Sequence, residues 1–103
     1  MAEFDVPDRV VAAMVAFVAA GAEVSRLAAA HPRPTEIAAG KAVLTDEQRE
    51  EWRAALAEER RLGEVVRNDP WWTEVAPGRR LAAEAHVRDL AKATRAEPGI
   101  PDR

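Results

Sequence analysis

The groups in this chain able to act as nucleophile, base or metal ligand are few: Ser25, His31, His86 and a set of carboxylates, with no cysteine and no tyrosine. A Ser-His-acid relay would have to be assembled from Ser25, one histidine and a distant acid, and no motif around Ser25 supports it. Ser25 is read instead as a residue tolerated within a helix. Gly40-Lys41 shares the Gly-Lys pair of a phosphate-binding loop, but Thr35 stands where the earlier glycine belongs and Ala42 where a Ser or Thr would hold magnesium.

Glu47, Glu50, Glu51, Glu58 and Glu59 fall at helical spacing, as in carboxylate metal centres built inside helical bundles. Those centres also need a Glu-x-x-His pair, whereas Glu84 and His86 are two apart and point to different sides. The alternation of Glu with Arg is better read as a solvated face carrying pairs such as Glu50 and Arg53, so no metal and no cofactor is expected. His31 is read as a helix-end residue near the negative end of the helix dipole, and His86 as a residue at a packing edge.

The elements that position these groups are all helical. Alanine dominates the composition and has the highest intrinsic helix propensity. Pro7 marks the start of a first helix reaching about Ala30, where His31-Pro32-Arg33-Pro34 must end it, since each proline disfavours α geometry in the residue before it. Thr35 is placed to cap a short helix over Glu36 to Val43, weakened at Gly40. Thr45 with Gln48 forms a capping box for a third helix over Asp46 to Arg67. Asp69-Pro70 and Pro77-Gly78 frame short turns, and a last helix runs from about Arg79 to Ala96. The fold class is all-α: a small helical bundle of three main helices plus short helical turns, one domain over residues 1–97 and a flexible tail over 98–103.

Projection at 100° per residue puts Trp52, Ala55, Leu56, Gly63 and Val66 on the inner stripe of the third helix, and Ala83, Val87, Leu90, Ala91 and Thr94 on that of the last. Glu59 falls on the first stripe, almost above Trp52, where a carboxylate must be paired or at an edge. Glu59 and His86 therefore make a possible buried polar site. Arg88, Lys92 and Arg95 form an outward basic ridge.

The first helix carries no charge from Val10 to Ala22 and is apolar on every side, the pattern of a helix surrounded by partners. The uncharged stretch is short of the roughly twenty residues of a bilayer span, and acidic residues precede it, so neither a membrane helix nor a signal peptide is expected. Together with the lack of cysteine, this fits a cytoplasmic protein. Self-association or another protein partner would cover the helix, with Met14, Phe17 and Val18 as interface residues. Trp71 and Trp72 join them, since adjacent residues of a helical turn do not both face one core direction.

The formal net charge of -3 disfavours nucleic acid as a general partner. Thr35 to Leu56 superficially follows a helix-turn-helix pattern, but its second helix opens on Asp46 and Glu47, which would face phosphates. The function expected is thus a non-enzymatic interaction module, an adaptor, regulator or assembly subunit acting as a homodimer. The alternatives are a DNA-associated regulator using Arg88, Lys92 and Arg95, and a small enzyme or ligand-binding subunit around Glu59 and His86.

Overall fold

The computed structural model describes residues 4–96. Its helices are α1 (Asp8–Ala30), α2 (Pro34–Ala38), α3 (Asp46–Arg67) and α4 (Arg80–Ala96), with 3-10 turns at Pro70–Glu74 and Pro77–Arg79 between the last two. The described residues contain no strand. The tail over 98–103 lies outside them.

α3 begins and ends where its caps require. Thr45 Oγ1 accepts from the Gln48 N–H at 3.1 Å, and the Gln48 side chain accepts from the Thr45 N–H at 3.0 Å. This reciprocal pair satisfies two donors otherwise left open at a helix start. Beyond the far end, Asp69 accepts from the Trp71 N–H at 2.9 Å and so caps the next turn.

α2 differs from its expected form. It starts one residue before Thr35, with Pro34 in the first turn and Arg33 as the flanking residue. Glu36 accepts from the Arg33 N–H at 3.2 Å, so the turn is closed from within the helix and Thr35 lies inside it and not at its cap. It stops at Ala38 and not at Val43, because Gly40 turns left-handed at φ 77° and the Lys41 N–H closes back onto the Glu36 carbonyl at 2.9 Å. Glycine alone takes that conformation without strain.

α1 is the central element and packs against both α3 and α4, while α3 and α4 hardly meet. α3 runs antiparallel to it, so Gly63 lies against Phe17, Glu59 against Gly21, and Glu51 and Trp52 against His31. α4 follows only the first half of α1, from His86 beside Phe4 to Arg88 over the Phe17 ring. Three helices therefore surround one end of the molecule, and the other end is a two-helix arm closed by α2.

The core sits at the three-helix end. Val10, Met14, Val66, Trp71, Trp72, Val75, Ala83, Val87 and Ala91 are buried there in one cluster. On the arm, Leu27 alone of α1 is buried, and Trp52, Ala55 and Leu56 are half-buried. The Cα radius of gyration is 17.6 Å, against about 13 Å for a compact domain of 100 residues.

Candidate interaction surface

The tryptophan pair belongs to the core. Trp71 and Trp72 are 6% and 5% exposed and meet edge to face with ring centroids 4.9 Å apart. The Trp71 indole N–H donates to the Asp5 carbonyl at 3.1 Å and that of Trp72 to the Val66 carbonyl at 2.6 Å. Both rings enter the same core cluster and touch each other, although adjacent residues of a turn were expected not to share one core direction. The turn that carries them is covered on both sides by the segment before α1 and by the end of α3. Neither ring is presented to a partner, which corrects the expectation for this pair.

Met14 is corrected in the same way, being 2% exposed beneath α4. Phe17 and Val18 are half-buried. Phe17 lies against Gly63 on one side and beneath the Arg88 guanidinium, 5.9 Å from the ring centroid, on the other. The open face of α1 is instead made by exposed Ala12, Ala19 and Ala22 with half-exposed Val11 and Val15. Sequence periodicity missed this face because α1 is apolar all round, and a pattern without polarity does not say which side the chain itself covers.

By length and composition α1 is apolar enough to cross a bilayer. Its most apolar 18-residue window has a mean hydropathy of 1.7, and 17% of that window is buried. The sequence argument against a span counted only the uncharged core from Val10 to Ala22, whereas the helix continues past Glu23 and Arg26. Those two side chains form an ion pair at 2.7 Å, and the arginine holds the Glu23 carboxyl below its usual range.

Glu59 and His86 do not form a common site. Glu59 is half-buried, its carboxylate resting where α1 lacks a side chain: a Cβ on Gly21 would stand 3.1 Å from Glu59 Oε2. His86 packs on Phe4 at the opposite end of α1, with ring centroids 5.7 Å apart. More than a dozen helical residues, about 20 Å of helix, separate them.

The basic ridge is placed as expected. Arg88, Lys92 and Arg95 are exposed and, with Val18 and Asp89, line an open groove of about 600 Å³ between α1 and α4. On the exposed face of α3, three pairs form within the helix: Asp46 with Arg49, Glu50 with Arg53, and Glu58 with Arg61, at 2.7–3.0 Å. Hydrogen bonding to Arg61 lowers the Glu58 carboxyl, and the arginine rises in return. Among the described residues no group of three or more His, Cys, Asp or Glu side chains is placed to hold a metal ion.

One pair ties the ends of the chain's core together. Arg9 donates through Nε and a terminal nitrogen to both oxygens of Asp69, at 2.8 and 2.9 Å. The arginine, followed by the Trp71 N–H, holds the Asp69 carboxyl below its ordinary range.

His31 proves more enclosed than a helix-end residue need be. Its side chain is 9% exposed, and its Nε2 is buried without a hydrogen-bond partner. The ring stands edge-on to Trp52 at 6.3 Å. Its enclosure depends on which α3 residues lie opposite the end of α1, information that neither helix carries alone.

These features define a small all-α domain built on a central apolar helix with one side open. The chain belongs to a family described as a domain of unknown function, DUF8825, whose model matches residues 9–90. The match runs from the first turn of α1 into the second half of α4, so it takes in every buried core residue except Ala91. No curated protein and no solved structure matches the chain.

Proposed function

We propose that this domain is a non-enzymatic protein interaction module, an adaptor, regulator or assembly subunit of the cytoplasm, whose partner on the open face of α1 is a second copy of itself. The observation that carries the reading is the mismatch between composition and cover. α1 is apolar on every side, yet Val10, Met14 and Leu27 are its only buried residues. Water against the remaining apolar surface is costly, at about 25 cal/mol per Å².

The chain exposes more surface than a compact protein of its mass. The whole chain, ends included, exposes 7350 Å², whereas a compact protein of 11.3 kDa exposes about 5,700 Å². A stable interface takes about 800 Å² from each partner. The small side chains of Ala12, Ala19 and Ala22 let a second helix approach closely, and Val11 and Val15 supply area beside them.

Sedimentation equilibrium at tens of micromolar tests this reading. A dimer is the expected result. A monomer throughout that range overturns it, and a monomer that pellets with neutral phospholipid vesicles would assign the face to a membrane instead.

The groove beside Arg88, Lys92 and Arg95 favours a second reading, binding of nucleic acid along α4. Its measurement is duplex DNA affinity against salt: contacts to phosphate release counterions and give a steep dependence. Reversing the three charges to glutamate should abolish any such binding, and affinity that survives the reversal removes this reading.

A further inference from the structure

The charges that bound the open face of α1 fix how a second copy would lie on it. Asp8, Ala12, Val15, Ala19, Ala22 and Arg26 follow one another at alternating intervals of four and three, the spacing that keeps one stripe of a helix towards a neighbouring helix. All are exposed except Val15, which is half-buried. We propose that the two α1 helices pair antiparallel about a two-fold axis level with Phe17, so that Asp8 of each copy meets Arg26 of the other. This rests on the reading of the face as a homodimer interface and adds its direction and register.

A two-fold axis makes every contact reciprocal, since where one residue meets a second, the second meets the first. The stripe matches itself when one copy is reversed. Asp8 and Arg26 stand nine residues either side of Phe17, Ala12 and Ala22 five, and Val15 and Ala19 two. Reversal sets acid against base at both ends, alanine against alanine inside them, and Val15 against the smaller Ala19 at the centre. Alanine at these positions lets the helix axes approach to about 8 Å.

Parallel pairing sets each residue against its own copy. Asp8 would then face Asp8 and Arg26 would face Arg26, and like charges brought together across an interface oppose association. Arg9 and Glu23, along one flank of the stripe, repeat the arrangement: they are opposite in sign and sit at opposite ends of the uncharged stretch. The basic ridge of α4 stands to the other side, beside Val18, about 100° round the helix from Ala19.

Both end charges have capacity for a partner. Asp8 makes no ion pair among the described residues. Arg26 gives Nε and one terminal nitrogen to Glu23 at 2.9 and 2.7 Å, which leaves its other terminal nitrogen for a second carboxylate.

The chain has no cysteine of its own, so single cysteines report the pairing. Ala12→Cys and Ala22→Cys are equilibrated in glutathione redox buffer, each alone and as an equimolar mixture. In the antiparallel pair these two positions face each other, and a disulfide needs a Cα separation of about 4.4–6.8 Å. Two copies of the same position are ten residues apart along the helix, about 15 Å. The mixed disulfide is the expected main product of the mixture, with little from either chain alone. Symmetric disulfides from each chain alone, or a dimer that forms none in the mixture, overturn this register and leave the dimer reading standing. A monomer by sedimentation equilibrium of the unaltered chain overturns both.

Charge reversal checks the same register through affinity. Asp8→Lys and Arg26→Glu should each raise the dissociation constant about fivefold, because each spoils both symmetry-related surface pairs. Combining them should bring it back to within about twofold of the original value. That recovery has no source within one chain, since the double variant still lacks the Glu23–Arg26 pair and the acid in the first turn of α1. Additive weakening in the double variant, at unchanged helicity by circular dichroism, overturns the proposal.

Discussion

Glu59 of α3 lies over Gly21 of α1, its Oε2 3.1 Å from the point where a Cβ on that glycine would stand. A carboxylate on the inner stripe of a helix is thus accommodated by the missing side chain opposite, at the edge of the packing where water still reaches it. The same two helices meet differently one turn of α3 further on, where a Cβ on Gly63 would stand 3.0 Å from the Phe17 ring.

These two contacts predict opposite outcomes for one substitution. Gly21→Ala gains helix propensity, about 1 kcal/mol, and crowds only the far end of a flexible side chain. It should stabilise the fold by about 0.5–1 kcal/mol. Gly63→Ala gains the same propensity but presses a buried methyl into an aromatic ring, and overpacking of that kind costs about 1–3 kcal/mol. A net loss of about 1 kcal/mol is expected. Urea unfolding of both variants checks the signs.

Asp69 predicts a pH dependence. Its carboxyl is held below the ordinary value of 3.8, first by Arg9 and then by the Trp71 N–H. The folded state therefore prefers the charged form more strongly than the unfolded chain does. The resulting stability is complete above 3.8 and is lost as pH falls through the lowered folded value. Asp69→Ala, which removes the cap and the pair with Arg9, should cost about 1–2 kcal/mol at neutral pH. Thermal unfolding of both proteins from pH 7 downwards should show their difference shrinking only in strong acid.

Trp71→Ala and Trp72→Ala each empty a large volume at the three-helix end and remove one hydrogen bond to a backbone carbonyl. Each should cost about 3–5 kcal/mol, measured by denaturant unfolding. Leu81→Ala, at a position 79% exposed, should change stability by less than about 0.5 kcal/mol.

Ala19→Glu places a charge on the open face of α1 without touching the core, because Ala19 is exposed. Burying that charge against a second copy would be unfavourable. Weakening of the dimer by about tenfold or more, at unchanged helicity, is the expected result by analytical ultracentrifugation. Unchanged self-association would move the interface off α1.

Sequence reasoning located what local chemistry decides and missed what opposition between elements decides. Thr45 with Gln48, and Asp69 before Pro70, fix the ends of α3 within a few residues of chain, so its boundaries were legible. The inner positions of α4, Ala83, Val87 and Ala91, followed from periodicity alone. Thr35 was misplaced as a cap because Arg33 and Glu36 close the same turn through a backbone N–H, and arginine carries no capping signature. The burial of both tryptophans, the separation of Glu59 from His86 and the enclosure of His31 all depend on which residues face one another across α1. No segment encodes that by itself.

The one-sided core divides the single rod of α1 into two zones of different cohesion. Around Val10 and Met14 its backbone hydrogen bonds lie under α3, α4 and the tryptophan turn, so their protons exchange with solvent only when the whole domain unfolds. From Glu23 to Ala30, α3 is the only long neighbour, and the amides there should exchange through partial openings that leave the tryptophan end folded. The helix is continuous, yet its protection against exchange should step down along its length, and anything that settles on the open arm should raise the lower step.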